Sequence, residues 1–152
     1  MPQHDDFLIQ AIELARVNLD DGGRPFGALV VRDGAVLATG VNRIGATGDP
    51  TSHAELNAIR DAAKVLGAPR LDGCVVYASG QPCPMCLAAI HMTGVSAVYF
   101  ALSNADGEAV GLSTAPVYAQ MALPIDRQAI PVVHRPQREA GQGLYAAWAQ
   151  RR

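Results

Sequence analysis

The sequence is short of charge, of aromatic side chains and of long apolar runs. Charged residues make up 17% of its 152 residues, aromatic residues make up 5%, and the formal net charge at pH 7 is −2. Because this balance offers no basic face to a phosphate backbone, it argues against nucleic acid as a partner. No apolar run reaches the roughly 20 residues of a membrane-spanning helix, and the first residues lack the basic start of a signal peptide. We therefore expect neither a membrane partner nor export.

Cysteine is also scarce, with Cys74, Cys83 and Cys86 as its three occurrences. So few cysteines argue against a disulfide framework and fit a reducing compartment, which predicts a cytoplasmic protein. Cys74 falls in an apolar run and is expected to be a core residue. Hydrophobic residues make up 49% of the chain, which leaves room for a buried interface and predicts a homodimer.

The length predicts one domain, residues 1–152. Apolar residues at helical spacing predict helices, and short apolar runs bounded by turn residues predict strands. Helices are expected at 7–19, with Asp5 or Asp6 as its cap, and at 53–66, 83–94, 116–122 and 144–151. Strands are expected at 26–31, 36–41, 74–79, 95–102 and 130–134, the first two joined by a turn at Asp33-Gly34.

This order of elements indicates the class of fold. An early antiparallel hairpin followed by strands that alternate with helices predicts a mixed sheet of about five strands. Helices on both faces then give an α/β protein of three layers, α/β/α. Residues 103–113 are polar and contain glycine, and we expect them to form a surface loop over the mouth of a site.

The strongest chemical signal is Pro82-Cys83-Pro84-Met85-Cys86, read together with His53-Ala54-Glu55 upstream. Two cysteines three apart at the start of a helix project their sulfur atoms from one turn, and the helix N-terminus favours the thiolate form. His53 supplies a third ligand. Three protein ligands that leave a fourth position to water are typical of catalytic zinc. Glu55 can line the same pocket without binding the ion.

Two simpler interpretations use the same residues. A C-x-x-C pair alone is also typical of a thioredoxin-like redox pair, and a histidine with two cysteines is compatible with a purely structural zinc. The histidine and glutamate upstream favour the catalytic site over both. The remaining histidines, His4, His91 and His134, are expected at the surface or in packing.

These motifs resemble those of the zinc-dependent cytidine and deoxycytidylate deaminase superfamily, whose pattern is H-x-E followed by P-C-x-x-C. Residues 25–31, Asn42 and residues 49–55 also stand in the order of that family. The resemblance is closest to guanine deaminase and related nucleobase deaminases, with tRNA adenosine deaminases next. It implies a cytidine-deaminase-like fold and a hydrolytic deaminase that replaces an exocyclic amino group by oxygen and releases ammonia.

The resemblance also implies roles for single residues. It implies one Zn²⁺ per chain on His53, Cys83 and Cys86, with a water or hydroxide as fourth ligand, and it makes Glu55 the group that moves protons. It further implies a set of contacts to the substrate, from Phe26, Asn42, Ala54, Glu139 and Trp148. The last two lie in residues 135–152, which are expected to form a C-terminal lid.

Two positions depart from the family pattern. Gln81 stands where many relatives carry glutamate, and Gly111-Leu112-Ser113-Thr114 offers hydroxyl groups where guanine-type members carry an acidic residue. The predicted substrate is a free nucleobase, with guanine first. The alternatives are another aminopyrimidine, an aminotriazine or a nucleoside, a tRNA adenosine-to-inosine deaminase, and a catalytically inactive zinc module. The net charge counts against tRNA, and the intact Glu55 counts against inactivity.

Overall fold

The computed structural model describes residues 2–152, so that Met1 lies outside the described residues. The chain forms two compact units, the first ending at Ala119 and the second comprising Gln120–Arg152. The first unit contains a sheet with helices on both faces. The second contains a short helix, a single 3-10 turn at Ile125–Arg127 and segments without regular structure. That residues 1–152 form a single domain stays a prediction.

The sheet of the first unit is mixed, as the sequence predicts. Its strands are β1 (Gly27–Arg32), β2 (Ala35–Val41), β3 (Cys74–Gly80) and β4 (Ala97–Leu102). They lie in the order β2-β1-β3-β4. Strand β1 is antiparallel to both neighbours, and β3 is parallel to β4. The first two strands are joined at Asp33 and Gly34, whose φ angles of 50° and 77° are those of a tight hairpin turn.

The fifth strand predicted at residues 130–134 is wrong, because the sheet described over residues 2–152 has four strands. Residues 131–134 form neither a helix nor a strand. Pro131 lacks the N–H that a ladder needs, and an apolar run becomes a strand only where a neighbouring strand pairs with it.

Seven helices are found among residues 2–152. They are α1 (Pro2–Asp20), α2 (Ile44–Thr47), α3 (Ala54–Leu66), α4 (Pro84–Met92), α5 (Asn104–Gly107), α6 (Ala115–Met121) and α7 (Leu144–Gln150). The first helix begins earlier than predicted, so that Asp5 lies inside its first turn and is not its cap. Helix α5 is a single turn within the loop predicted at 103–113, and α2 is a single turn between β2 and α3. In the part of the chain described, no helix has both the length and the apolar character needed to cross a bilayer.

Two apolar cores hold the layers together. Alternate residues of β1 face opposite sides, because successive side chains of a strand point to opposite faces. Ala28 and Val30 pack with α3 and α4 in the larger core, whereas Leu29 and Val31 pack with α1 in the smaller one. Cys74 is fully buried in the larger core, as predicted. The result is the predicted three-layer α/β/α arrangement, in which β3 leads into α4 and β2 leads through a loop into α3.

Candidate active site

His53 stands at the start of α3 as its N-cap residue, at the end of the loop that follows β2. The loop is held closed on itself, since the backbone N–H of Arg43 donates to the carbonyl of Ser52 at 2.9 Å. The Asn57 side chain on α3 donates to the carbonyl of Val41 at 2.8 Å, which ties the helix to the end of β2. These bonds fix where the His53 ring enters the site.

Cys83 and Cys86 lie in the first turn of α4. Cys83 is the N-cap residue, Pro84 follows it at the first helical position, and the Cys83 sulfur accepts the backbone N–H of Cys86 at 3.5 Å. Proline is favoured there because its missing N–H would have no partner inside the helix. Cys86 is fully buried and Cys83 is half-buried. Both sulfur atoms therefore point from one turn, as the spacing predicts.

The structure brings the three expected ligands together. Nδ1 of His53 lies 3.5 Å from Sγ of Cys83 and 3.5 Å from Sγ of Cys86, and the three ligand atoms all lie within 4.8 Å of one another. Tetrahedral zinc, with bonds of about 2.3 Å to sulfur and about 2.0–2.1 Å to nitrogen, separates its ligand atoms by roughly 3.5–3.8 Å. The set therefore fits one zinc ion.

The two thiols share a proton. A hydrogen bond with Cys86 lowers the pKa of the Cys83 thiol to about 4, and the neighbouring His53 acts in the same direction. The same bond, together with burial, raises the pKa of Cys86. The hydrogen bond with Cys83 in turn raises the pKa of His53. The surroundings of Cys83 thus favour its thiolate even when no metal is bound. A bound divalent cation would also favour the thiolate of Cys86, because coordinated thiols lose their protons.

Glu55 lies in the first turn of α3, beside the ligand group but outside it. It is only 6% exposed. Burial raises the pKa of its carboxyl group above the ordinary value, because desolvation disfavours the charged form, while a hydrogen bond with Cys86 lowers it. A buried carboxyl group that readily gains or loses a proton is suited to transferring protons.

A pocket of about 150 Å³ opens next to these residues. Its lining contains Phe26, Asn42 and Ala54, which the sequence had suggested as contacts, and Arg24, which it had not suggested. The full lining is Arg24, Phe26, Asn42, His53, Ala54, Glu55, Gln81, Cys83 and Gly111 to Thr114. The only sequence signal for Arg24 is its place just before Pro25-Phe26.

A chain of hydrogen bonds connects the end of β3 with the far wall of the pocket. The side-chain oxygen of Gln81 accepts the backbone N–H of Asn104 at 2.9 Å, and that of Asn104 accepts the backbone N–H of Thr114 at 3.2 Å. The Tyr118 hydroxyl donates to the carbonyl of Pro82. Gln81 thus orients residues 111–114. The loop predicted at 103–113 begins with α5, and only its last part reaches the pocket.

Glu139 and Trp148 belong to the second unit. Both are exposed there, Trp148 to 65%. The pocket described above consists of residues between 24 and 114, all of them in the first unit. A role for Glu139, Trp148 or residues 135–152 at the site stays a prediction.

Known proteins with similar sequences and structures extend this description. The family described as the cytidine and deoxycytidylate deaminase zinc-binding region matches residues 1–102. Guanine deaminase of Bacillus subtilis is 43% identical over 129 residues, which is 84% of this chain and 83% of that protein. A crystal structure of guanine deaminase from Bacillus subtilis superposes with a TM-score of 0.88 at 40% identity, covering 97% of this chain and 94% of that one.

Two further relatives are more distant. The tRNA-specific adenosine deaminase of Agrobacterium fabrum is 39% identical over 103 residues, which is 65% of this chain and 68% of that protein. A crystal structure of a relative in complex with 2,6-diaminopurine has a TM-score of 0.68 at 30% identity and covers 71% of this chain and 61% of that one.

Proposed function

This chain belongs to the cytidine and deoxycytidylate deaminase family and is a zinc-dependent nucleobase deaminase, and we propose that its substrate is a free base, with guanine first. The main observation behind this proposal is that His53, Cys83 and Cys86 lie close together, beside a pocket that the buried Glu55 also lines. The similarity to a guanine deaminase over most of both chains supports guanine as the first candidate.

The size of the pocket supports a free base over a nucleotide. Its volume of about 150 Å³ lies well below the roughly 300–1,000 Å³ of pockets that take drug-sized ligands. A single heterocycle suits such a volume, whereas a sugar and a phosphate would have to remain outside. The relative crystallised with 2,6-diaminopurine binds a free amino-substituted base, which agrees with this size.

We propose that His53, Cys83 and Cys86 hold one zinc ion per chain. Their donor set of one imidazole nitrogen and two sulfur atoms is one that zinc accepts, and it leaves a fourth position for water or substrate. When bound, zinc acts as a Lewis acid that brings the pKa of a water molecule toward neutrality. The two sulfur atoms, both anchored in the first turn of α4, hold this centre against the pocket wall.

Glu55 is proposed to carry the protons of the reaction. Hydrolysis consumes one water molecule, places its oxygen on the ring carbon and releases the exocyclic amino group as ammonia. A carboxylate oxygen of Glu55 takes a proton from the water and passes it to a ring nitrogen as the hydroxyl oxygen adds to the ring carbon. It then takes the remaining proton of that hydroxyl group and delivers it to the amino nitrogen, so that the C–N bond breaks as the C=O bond forms. Burial suits Glu55 to this task, since it weakens the preference of the carboxyl group for the charged form.

Three neighbours are proposed to position the ring. Asn42 is 4% exposed and lines the pocket, Phe26 provides an apolar wall, and Ala54 offers the backbone N–H of the first residue of α3. The first N–H groups of a helix have no partner inside it and are therefore available to a ligand. Glu139 and Trp148 are proposed to complete the site as parts of a C-terminal lid.

The test pairs a substrate panel with a variant. Purified protein is assayed for ammonia release from guanine, cytosine, adenine, aminotriazines and a tRNA anticodon stem-loop. Glu55→Gln should keep zinc and fold but lose about 10²- to 10⁴-fold in turnover, because proton transfer by a positioned side chain contributes that much. Glu13→Gln, which changes an exposed carboxylate on α1, is the matched control and should lose little. Deamination of the RNA hairpin with every free base inert would replace this proposal with tRNA editing.

A homodimer is proposed as the assembly. The second unit exposes several large apolar side chains that a lone chain would leave in water, among them Ile130, Val133, Leu144, Tyr145 and Trp148. Exposed apolar side chains at this density are typical of a protein interface. We propose that a second copy of this chain covers these apolar side chains.

The cytoplasm is proposed as the compartment. All three cysteines are free thiols, and two of them, Cys83 and Cys86, are proposed metal ligands. A reducing environment keeps such thiols available to zinc.

A further inference from the structure

The charged side chains of the pocket are unevenly distributed. Of the pocket-lining residues described, Glu55 is the one carboxylate, and it is buried beside the ligand group. Arg24 carries the one permanent positive charge and is exposed, so that it lies at the solvent side of the same pocket. A ring bound in this pocket therefore lies beside both Glu55 and the positive charge of Arg24.

The backbone of Arg24 is fixed while its guanidinium group remains available. Its carbonyl oxygen accepts the side-chain N–H of Asn18 at 2.7 Å and the backbone N–H of Phe26 at 2.9 Å. Within residues 2–152, no carboxylate lies in ion-pair range of the guanidinium, in contrast to Arg70, which contacts Asp72 at 2.8 Å. The five N–H donors of Arg24 are thus presented from a fixed point without an internal acceptor of opposite charge.

The two amide side chains of the pocket also present donors. The side-chain oxygen of Asn42 accepts the backbone N–H of Ile44 at 3.1 Å, and that of Gln81 accepts the backbone N–H of Asn104. Each of these oxygens thus accepts one internal hydrogen bond, whereas the amino groups have no internal acceptor among the described residues and remain for a ligand. Among residues 2–152 no acceptor is found for the Asn42 amino group, and Asn42 is one of the residues that line the pocket.

The opposite wall adds no acceptor with a charge. Ser113 accepts the backbone N–H of Ala115 at 3.2 Å, and the Thr114 hydroxyl donates to Asn104 at 3.4 Å. Each hydroxyl group thus makes one bond within the wall, and neither carries a charge. The pocket combines an excess of N–H donors with a guanidinium group, and its one carboxylate is placed for proton transfer.

We propose that Arg24 is a specificity-determining residue that makes this pocket favour amino-substituted rings that carry a negative charge. The inference rests on the proposed function, because it concerns the substrate of the same site. The reaction is unchanged, since water and the amino-substituted anion give the oxo-substituted anion and ammonia. Electrostatic and hydrogen-bond complementarity between a donor-rich pocket and an acceptor-rich ring supplies the preference.

The test compares two rings that differ in one atom. Guanine and 8-azaguanine have the same shape, but the additional nitrogen makes the five-membered ring of 8-azaguanine more acidic. At a pH between the two ring pKa values, 8-azaguanine is mostly an anion and guanine is neutral. The measured quantity is the ratio of kcat/KM for 8-azaguanine to that for guanine, at low and at high salt.

Arg24→Gln should lower this ratio about fivefold, the effect of a partly exposed ion pair, and Arg24→Lys should restore part of it. The ratio of the unchanged protein should fall with salt, whereas that of Arg24→Gln should not. Arg43→Gln is the matched control, because Arg43 is an exposed arginine that does not line this pocket. An unchanged ratio in Arg24→Gln, or an equal fall in Arg43→Gln, would overturn the inference.

A second readout keeps the inference separate from the proposed function. The affinity of the zinc-loaded Glu55→Gln protein for both rings is measured by calorimetry, with and without Arg24→Gln. If no free base is deaminated, the proposed function fails, and the ratio of the two affinities still decides the role of Arg24. A ratio that Arg24→Gln leaves unchanged counts against Arg24 even if guanine is a substrate.

Discussion

Gly40, on the edge strand β2, is the position where a single methyl group should disturb the site most. A Cβ atom placed there would overlap the carbonyl oxygen of Ala54 and lie 2.6 Å from the backbone nitrogen of Ala58. Both are backbone atoms of α3 and cannot rotate away. Ordinary contacts begin near 3.4 Å, so that strand and helix must separate by 0.8 Å or more at Ala58.

Gly40→Ala should therefore cost stability and function together. Overpacking of a core contact costs about 1–3 kcal/mol, and a protein of this size loses about 2–4 °C in Tm for each kcal/mol. Because Ala54 lies between His53 and Glu55, the same shift misplaces a metal ligand and the proposed proton carrier. A misplacement of about 1 Å can lower turnover by about 10²-fold. Urea unfolding, zinc affinity and ammonia release measure the three effects.

Two other glycines provide the controls. Gly27→Ala would meet the carbonyl oxygen of Ala11 at 2.5 Å and Cβ of Leu14 at 2.7 Å, and it should cost comparable stability. That strain lies on the α1 face, so it should spare zinc affinity. Gly45→Ala, in the exposed helix α2, meets no atom within 4 Å and should be neutral or slightly stabilising. If Gly40→Ala unfolds and binds zinc like the unchanged protein, the close packing of β2 on α3 is not what positions the site.

Two further predictions concern the whole chain. Metal analysis of the purified protein should find one zinc per chain and none in a Cys83→Ala/Cys86→Ala double variant, while Cys74→Ala should keep its zinc because Cys74 lies in the core. Full metal retention in the double variant would show that Cys83 and Cys86 are not the zinc ligands. Light scattering at micromolar concentration should give the mass of two chains, and the mass of one chain would contradict the homodimer.

The sequence by itself determined the local features. Helical spacing of apolar residues located α1 and α3, and the Asp33-Gly34 pair located the hairpin, because such turns need two residues with positive φ. The spacing of Cys83 and Cys86 predicted that two sulfur atoms leave one helical turn. Each of these depends on residues close together in the chain, and local sterics decide them.

Only the tertiary structure decided what distant segments do together. Residues 130–134 have the composition of a strand but pair with no other strand. Whether an apolar segment becomes a strand depends on the segment beside it in the fold as well as on its own sequence. Arg24 carries no motif, and it became a pocket residue because the end of β2, the start of α3 and residues 111–114 converge beside it. Likewise, the donor character of Asn42 and Gln81 depends on Ile44 and Asn104 occupying their oxygens, since an amide offers whichever group its neighbours leave unused.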